Sequence, residues 1–174
     1  MLQLRAKALP SGRFLDLAER LTVLAAPYGA AVIVNDRVDL ALLSGATGVH
    51  VGQEDLAPND ARRLLGPDAV VGYSTHTIGQ VEGALLEPVT YVAVGPIFGT
   101  RTKETGYDPV GLDLVGQAAR LARGRPVVAI GGITLETAPE VLAAGASAVA
   151  VIGDLLAGGD PQARMAAYAR VLGL

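Results

Sequence analysis

A group of hydroxyl and cationic residues follows one apolar segment of the chain. Residues 91–94 form a short β-branched run that predicts a buried strand, and Gly95-Pro96 ends it. Two threonines, an arginine and a lysine then occupy positions 100–103. Such donors hold anionic ligands, and a loop beyond the carboxyl end of a parallel strand is a usual place for one. The alternative interpretation is a solvated surface loop.

Two carboxylates follow other predicted strands. Asp36 and Asp55 come after neighbouring strands, so the pair could share one hard cation. Mg²⁺ is commonly held by one or two carboxylates together with ligand phosphate and water. The alternative is that Asp36 caps the following helix and that Asp55 lies in a solvated turn.

Cationic residues also lie at the ends of predicted strands. Arg5, Lys7 and Lys103 would supply charge to a diphosphate, with Thr100 and Thr102 as neutral donors. Solvated surface charge is the competing interpretation of these residues.

Glycines follow the last two predicted strands. Gly131-Gly132 comes after one of them, and Ile152-Gly153 comes after the other. Glycine lets backbone N–H groups approach a phosphate, and the start of a short helix at such a place favours an anion. A diglycine alone is weak evidence, because turns use it freely.

The two histidines have less specific interpretations. His50 lies between Val49 and Val51, which favours a buried histidine satisfied by a hydrogen bond over a metal ligand. His76 has either a positioning role or none. The chain shows no Ser-His-Asp order, no zinc-binding spacing and no nucleotide-binding GxGxxG.

The elements that must position these residues alternate between strand and helix, which forces parallel βαβ crossovers. Strands are predicted at 2–7, 31–34, 49–51, 70–73, 91–94, 127–130 and 148–152. Helices are predicted at 11–26, 38–45, 58–65, 78–86, 112–122, 134–144 and 161–172, with Ser11 as an N-cap. We therefore expect an α/β fold, a TIM (β/α)₈ barrel with seven strands in this chain and without its first strand and helix, as a single domain over residues 1–174. In such a barrel the residues after the strands converge on one face.

Composition excludes several classes. Half the residues are apolar but only 4% are aromatic, so the core must use Val, Ile, Leu and Ala, which favours α/β packing. A net charge of −3 gives no basic field for nucleic acid. The absence of cysteine excludes disulfides and thiolate metal sites. With no apolar run long enough for a membrane helix and no signal-peptide pattern, we expect a cytoplasmic protein.

Six ordered segments carry a family resemblance. They are Gln3-Leu-Arg-Ala-Lys7, Asn35-Asp-Arg-Val-Asp39, Gly52-Gln-Glu-Asp55, Gly72-Tyr-Ser-Thr-His76, Gly95-Pro-Ile-Phe-Gly-Thr-Arg-Thr-Lys103 and Ala129-Ile-Gly-Gly-Ile133. In order and spacing they resemble the thiamine-phosphate synthase (thiamine-phosphate pyrophosphorylase) family over essentially the whole chain. The resemblance implies a (β/α)₈ barrel that joins hydroxymethylpyrimidine diphosphate to thiazole phosphate, giving thiamine phosphate and diphosphate with Mg²⁺.

The resemblance also implies a role for each residue. Asp36 and Asp55 would bind the metal, and Gln3 would address the pyrimidine. The residues that would hold the diphosphate are Arg5, Lys7, Asn35, Ser74 and Lys103. Those on the thiazole phosphate side would be Thr100, Thr102, Gly132, Ile152 and Gly153. Of these residues, the resemblance implies catalytic roles for Arg5, Lys7, Ser74 and Lys103.

Some features depart from the family pattern. Its first strand and helix are absent, and with them an aromatic residue near the pyrimidine, so the chain alone is expected to be incomplete. Gly99 stands where proline is usual, Gly153 where serine is usual, and Ala6 where an acidic residue is common.

Two alternatives to the synthase stay open. The TenI-type thiazole tautomerases are similar in fold, but Pro96 lies where a tautomerase histidine is expected, and a metal-free tautomerase would not require Asp36 and Asp55. The other alternative is a barrel that binds thiazole or thiamine phosphate without catalysis. The expected partners are small phosphorylated substrates, with no nucleic acid and no membrane, and a homo-oligomer is compatible with the sequence.

Overall fold

The computed structural model describes residues 1–99 and 106–173. Within these ranges seven short strands alternate with helices, and β-strands that are neighbours in sequence pair in parallel within each part of the chain. The strands are β1 (Leu2–Leu4), β2 (Val32–Asn35), β3 (Gly48–Val51), β4 (Val70–Thr75), β5 (Tyr91–Val94), β6 (Val127–Ile130) and β7 (Ala148–Ala150). The helices are α1 (Ser11–Ala25), α2 (Val38–Leu43), α3 (Pro58–Leu65), α4 (Ile78–Leu86), α5 (Gly111–Ala122), α6 (Ala138–Ala143), α7 (Gly153–Leu156) and α8 (Pro161–Leu172), with a 3₁₀ turn at Ala26–Tyr28.

The chain divides into two compact units. The first unit comprises Met1–Ser74 and Leu86–Thr90, and the second comprises Thr75–Leu85 and Tyr91–Leu174. The single domain expected over residues 1–174 stays a prediction. Across the described ranges, none of the helices has the length and apolarity that crossing a bilayer requires.

The first unit is built on parallel strands, and two of them are buried along their whole length. Every residue of β2 and β3 is buried, as near-continuous apolar runs in a parallel sheet require. β2 pairs with β1 on one side and with β3 on the other, both in parallel. A Cβ atom at Gly48 would lie 1.8 Å from the carbonyl oxygen of Val70, so the approach of β3 to β4 requires glycine there.

The second unit repeats this arrangement with β5, β6 and β7. β5 is buried at every residue, and it pairs in parallel with β6, which pairs in parallel with β7. A Cβ atom at Gly95 would lie 2.2 Å from the carbonyl oxygen of Ile130. The chain segments that leave β5 and β6 are therefore in close backbone contact.

Two predictions of where a helix begins are wrong, and β1 ends at Leu4 and not at Lys7. Ser11 is the first residue of α1 and not its N-cap, which is Pro10; the Ser11 hydroxyl instead accepts a hydrogen bond from Arg37 Nη1 at 3.0 Å. α6 begins at Ala138 and not at Thr134, because the residues before it form a turn in which the Thr134 N–H donates to Thr137 Oγ1 at 3.0 Å. Residues 1–99 and 106–173 contain the seven strands that were predicted.

Candidate functional site

Asp36 lies immediately after β2 in an uncommon backbone conformation. Its φ is 64°, and the Arg37 N–H donates to the carbonyl oxygen of Asn35 at 2.8 Å, which closes a γ-turn around Asp36. The Asp36 N–H donates to the carbonyl oxygen of His50 at 2.8 Å. A non-glycine residue at positive φ is strained, and such strain persists where the surrounding structure over-determines it, often at functional sites.

The Asp36 carboxylate has a cationic partner. Lys7 Nζ lies 2.8 Å from Asp36 Oδ2, and the Asp36 side chain is 19% exposed. Burial raises the pKa of Asp36, but the hydrogen bonds with Lys7 and Asp55 and the charges of Lys7 and Arg5 outweigh it and leave the pKa below its ordinary value. The structure thus brings together four residues that the sequence assigns to the site: Arg5, Lys7, Asp36 and Asp55.

Asp55 lies in the turn after β3. Its Oδ2 accepts a hydrogen bond from the Gly52 N–H at 2.7 Å, and the Asp55 N–H donates back to the carbonyl oxygen of Gly52 at 3.3 Å. Burial raises the pKa of Asp55, and the negative charge of Asp36 raises it further against the opposing Gly52 hydrogen bond. The opposite pKa shifts of Asp36 and Asp55 have a simple cause, since one carboxylate of an adjacent pair takes the cationic partner.

Asp36 and Asp55 form a pair of interacting carboxylates. Residues 1–99 and 106–173 contain no group of three or more His, Cys, Asp or Glu that could hold a metal ion. Asp36 and Asp55 could therefore supply two oxygen ligands, and the remaining positions would have to come from water or ligand oxygens.

Ser74 at the end of β4 is held by two neighbours in the first unit. His50 Nε2 lies 2.8 Å from Ser74 Oγ, and Gln53 Nε2 donates to the carbonyl oxygen of Ser74 at 2.7 Å. His50 is buried, which confirms the interpretation of a buried histidine that makes a hydrogen bond. Gln53 was not singled out in the sequence, where its only signal is its place between Gly52 and Asp55.

The other predicted residues of the first unit differ in exposure. Asn35, the last residue of β2, is buried, whereas Gln3 in β1 is exposed and Arg5 is half-buried. Lys7 is 59% exposed despite its ion pair. Lys7 therefore remains accessible to a ligand while it pairs with the partly buried Asp36 carboxylate.

In the second unit, the two glycines after β6 pack tightly against the segment after β5. Their φ values are 101° for Gly131 and 67° for Gly132. A Cβ atom at Gly132 would lie 2.6 Å from the carbonyl oxygen of Gly99, and one at Gly131 would lie 2.6 Å from Pro96 Cα. The diglycine thus has a packing reason that the sequence did not reveal.

Hydrogen bonds continue this contact beyond the strands. The Ile97 N–H donates to the carbonyl oxygen of Ile130 at 2.9 Å, and the Phe98 N–H donates to that of Gly131 at 3.0 Å.

The last segment predicted to bind phosphate follows β7, where Ile152 is 42% exposed and Gly153 is the first residue of α7. Thr100, Thr102 and Lys103 lie outside the described residues.

His76 follows β4 and is firmly oriented within the second unit. Its Nδ1 donates to the carbonyl oxygen of Gly95 at 2.5 Å, and its backbone N–H donates to Gln80 Oε1 at 2.7 Å. The ring stacks on Tyr107, with centroids 3.9 Å apart and an interplanar angle of 14°. Sequence reasoning missed Tyr107, because no local pattern marks a stacking partner 31 positions away.

Comparison with known proteins supplies the family. The family model described as "Thiamine monophosphate synthase" matches residues 1–155. A thiamine-phosphate synthase of Anaeromyxobacter dehalogenans is 47% identical over 165 residues, which cover 95% of this chain and 73% of that protein. One of Gloeobacter violaceus is 45% identical over 161 residues, 92% of this chain and 47% of that protein.

Solved structures agree with the family and the fold. A thiamine phosphate pyrophosphorylase from Pyrococcus furiosus superposes with a TM-score of 0.90 at 29% identity and covers 98% of this chain and 81% of that one. This likeness confirms the predicted α/β TIM-barrel fold class. A 3-hexulose-6-phosphate synthase, at 19% identity and a TM-score of 0.69, shares the fold alone. The family-model match and the identities above show that the chain belongs to the thiamine monophosphate synthase family.

Proposed function

We propose that the chain has thiamine-phosphate synthase activity. It joins hydroxymethylpyrimidine diphosphate to hydroxyethylthiazole phosphate and releases diphosphate and thiamine phosphate. The observation that carries the proposal is the Asp36 and Asp55 pair with Lys7 against it, in a chain whose relatives bear the synthase name. Two carboxylates beside a cation are suited to a metal-bound diphosphate.

The metal that we propose is Mg²⁺, held by Asp36 and Asp55. The donor set fits, because both ligands are carboxylates and because the charge of Asp36 raises the pKa of Asp55, a repulsion that a divalent cation relieves. When bound, the cation would neutralise charge on the diphosphate. Because only two carboxylates would come from the protein, water and the substrate would fill most of the coordination positions, as is usual for Mg²⁺.

The leaving diphosphate must be stabilised by the chain's own donors. Arg5, Lys7 and Lys103 would supply charge, with Asn35 and Ser74 as neutral donors. When His50 Nε2 carries its proton, Ser74 Oγ accepts that hydrogen bond and its own O–H is free to donate to a phosphate oxygen.

The reaction requires no protein nucleophile. The bond from the pyrimidine methylene carbon to the diphosphate oxygen breaks, and its electron pair leaves with the diphosphate. The thiazole nitrogen donates its lone pair to the same carbon and forms the new C–N bond. The chain therefore acts by positioning the two substrates and neutralising charge.

The second substrate would be held by its phosphate. We propose that backbone N–H groups at Gly132, Ile152 and Gly153 face that phosphate, with Thr100 and Thr102 as further donors, while Gln3 contacts the pyrimidine. The close packing of Gly132 against Gly99 supports a defined position for the backbone there. A cytoplasmic location and a homo-oligomeric state remain predictions from the sequence.

The proposal is tested by incubating the chain with each substrate alone and with both, at several Mg²⁺ concentrations, and following phosphorus species by ³¹P NMR. We expect diphosphate and thiamine phosphate only when both substrates and metal are present, and a chelator should stop the reaction. A turnover rate that a chelator does not lower would contradict the metal assignment. A second incubation supplies thiazole carboxylate phosphate alone. If the chain isomerises this compound and makes no thiamine phosphate, a tautomerase replaces the proposed synthase.

A further inference from the structure

One carboxylate in the second unit accepts four hydrogen bonds. Asp154 Oδ2 accepts from the Leu135 N–H at 3.1 Å, from Arg164 Nε at 3.1 Å and from the Tyr168 hydroxyl at 2.5 Å. Its Oδ1 accepts from Arg164 Nη2 at 2.8 Å. The Asp154 side chain is 11% exposed, and Tyr168 is 3% exposed. A buried carboxylate with this many donors is fixed in position and orientation.

We call these four groups, the Asp154 carboxylate, the Leu135 N–H, Arg164 and Tyr168, the Asp154 clasp. The clasp joins three parts of the chain, because Asp154 belongs to α7, Leu135 precedes α6, and both Arg164 and Tyr168 belong to α8. α7 has only four residues, and a single helical turn is not stable by itself. The clasp therefore determines where α7 lies relative to the segment before α6.

The placement of the clasp relates it to the phosphate segments. Asp154 directly follows Ile152 and Gly153, and Leu135 is three positions after Gly132. The bond from the Leu135 N–H to Asp154 thus connects the chain just after each of the two backbone segments to which the proposed function assigns the thiazole phosphate.

We infer that Asp154 is a positioning residue for the phosphate of the thiazole substrate, acting through the clasp. This inference rests on the proposed function, because it concerns the same substrate. Asp154 does not itself bind the phosphate, since its oxygens are occupied by protein donors and a second anion would repel it. Its effect is to hold the backbone N–H groups of segments 131–132 and 152–153 at a set separation.

The inference predicts an effect on one substrate and not on the other. In Asp154→Asn and Arg164→Met, the KM for the thiazole phosphate should rise roughly tenfold or more, because a misplaced binding group loses much of its effect. The KM for the pyrimidine diphosphate should change by less than about twofold. Arg164→Lys keeps a cationic donor and should recover part of the lost affinity.

A matched control separates positioning from stability. Asp160 caps α8 by accepting from the Ala163 N–H at 2.9 Å, and it lies between α7 and α8. Asp160→Ala should lower the melting temperature through the lost cap while leaving both KM values unchanged. If Asp154→Asn lowered only the melting temperature, or raised both KM values equally, the clasp would be merely structural and the inference wrong.

A direct binding measurement tests the clasp inference independently of the synthase proposal. Calorimetry with hydroxyethylthiazole phosphate should show binding to the wild type and at least tenfold weaker binding to Tyr168→Phe combined with Arg164→Met, which retains Asp154. If the double variant binds at least tenfold more weakly than the wild type and the wild type makes no thiamine phosphate, the synthase is refuted and the clasp is supported. Equal binding by the wild type and the double variant would overturn the clasp inference. A wild type that does not bind this ligand would also overturn the clasp inference.

Discussion

Lys7 Nζ lies 2.8 Å from Asp36 Oδ2, so a residue assigned to the diphosphate and a residue assigned to the metal are partners in the same ion pair. For the neighbouring Asp55, whose pKa is raised, no hydrogen bond from a cationic side chain contributes to the shift. Lys7 thus compensates the charge of one of the two adjacent carboxylates. A metal cation would compete with Lys7 for Asp36, and a diphosphate would compete with Asp36 for Lys7.

Replacing Lys7 with methionine should therefore have opposite effects on the two ligands. Affinity for Mn²⁺ as a probe of the metal site should rise about three- to tenfold, a modest effect because the exposed lysine is screened by solvent. The KM for the pyrimidine diphosphate should rise, because a phosphate partner is lost. Mn²⁺ titration followed by electron paramagnetic resonance and steady-state kinetics measure the two effects.

Arg63→Met is the matched control for this prediction. It breaks the exposed ion pair with Asp60, which has the same 2.8 Å separation, and it should change neither ligand's binding. Weaker Mn²⁺ binding in the Lys7 variant would show that the lysine supports the metal site and does not compete with it.

Gly95→Ala should be strongly destabilising. The added methyl group would lie 2.2 Å from the carbonyl oxygen of Ile130, where the segments after β5 and β6 are in contact. We expect a loss of about 3 kcal/mol in the free energy of unfolding, measured by urea denaturation. Gly83→Ala is the counterpart, because Gly83 lies inside α4 with no atom within 4 Å of an added Cβ. This variant should gain about 0.5 to 1 kcal/mol, and equal effects at the two sites would contradict the described packing.

The Asp154 clasp predicts how stability depends on pH. The hydrogen bond from Arg164 lowers the pKa of Asp154 more than burial raises it, and Tyr168 and Leu135 add to the lowering. The folded carboxyl therefore takes up its proton at a lower pH than the unfolded one does. Its contribution to stability is complete above the ordinary aspartate pKa of about 3.9 and is lost as the pH falls through the folded value.

Denaturation of the wild type and of Asp154→Asn at pH 7 and near pH 3 measures this dependence. The wild type should be more stable by about 2 kcal/mol at pH 7, and the difference should narrow at the lower pH. A difference that stays constant or widens on acidification would show that the carboxylate charge does not contribute as described.

Some features of the fold and site follow from the sequence because their causes are local. α3 and α4 begin and end where predicted, and Pro58 at the start of α3 and Gly66 just after it mark its ends. Asp36 and Asp55 interact as expected, since they follow neighbouring parallel strands whose register pairs Asn35 with His50. A pattern of apolar runs and turn residues contains this information.

Other features depend on contacts between distant residues. The positive φ of Asp36 has no signal in the sequence, because a non-glycine residue adopts it only when the surrounding structure imposes it. The Asp154 clasp joins Leu135 to Tyr168, and neither has a motif that marks it as a partner. Ser11 was predicted to be an N-cap from local preference, but Arg37 uses its hydroxyl instead.

The central claim is that Asp36 and Asp55 form a metal site that serves the release of diphosphate. Its most direct test is the rate of diphosphate release against Mg²⁺ concentration in the wild type and in Asp55→Asn, with binding of the thiazole phosphate measured in both. The account predicts at least a hundredfold lower rate for Asp55→Asn, with thiazole phosphate binding unchanged. An Asp55→Asn variant with the wild-type rate and the wild-type Mg²⁺ dependence would contradict it.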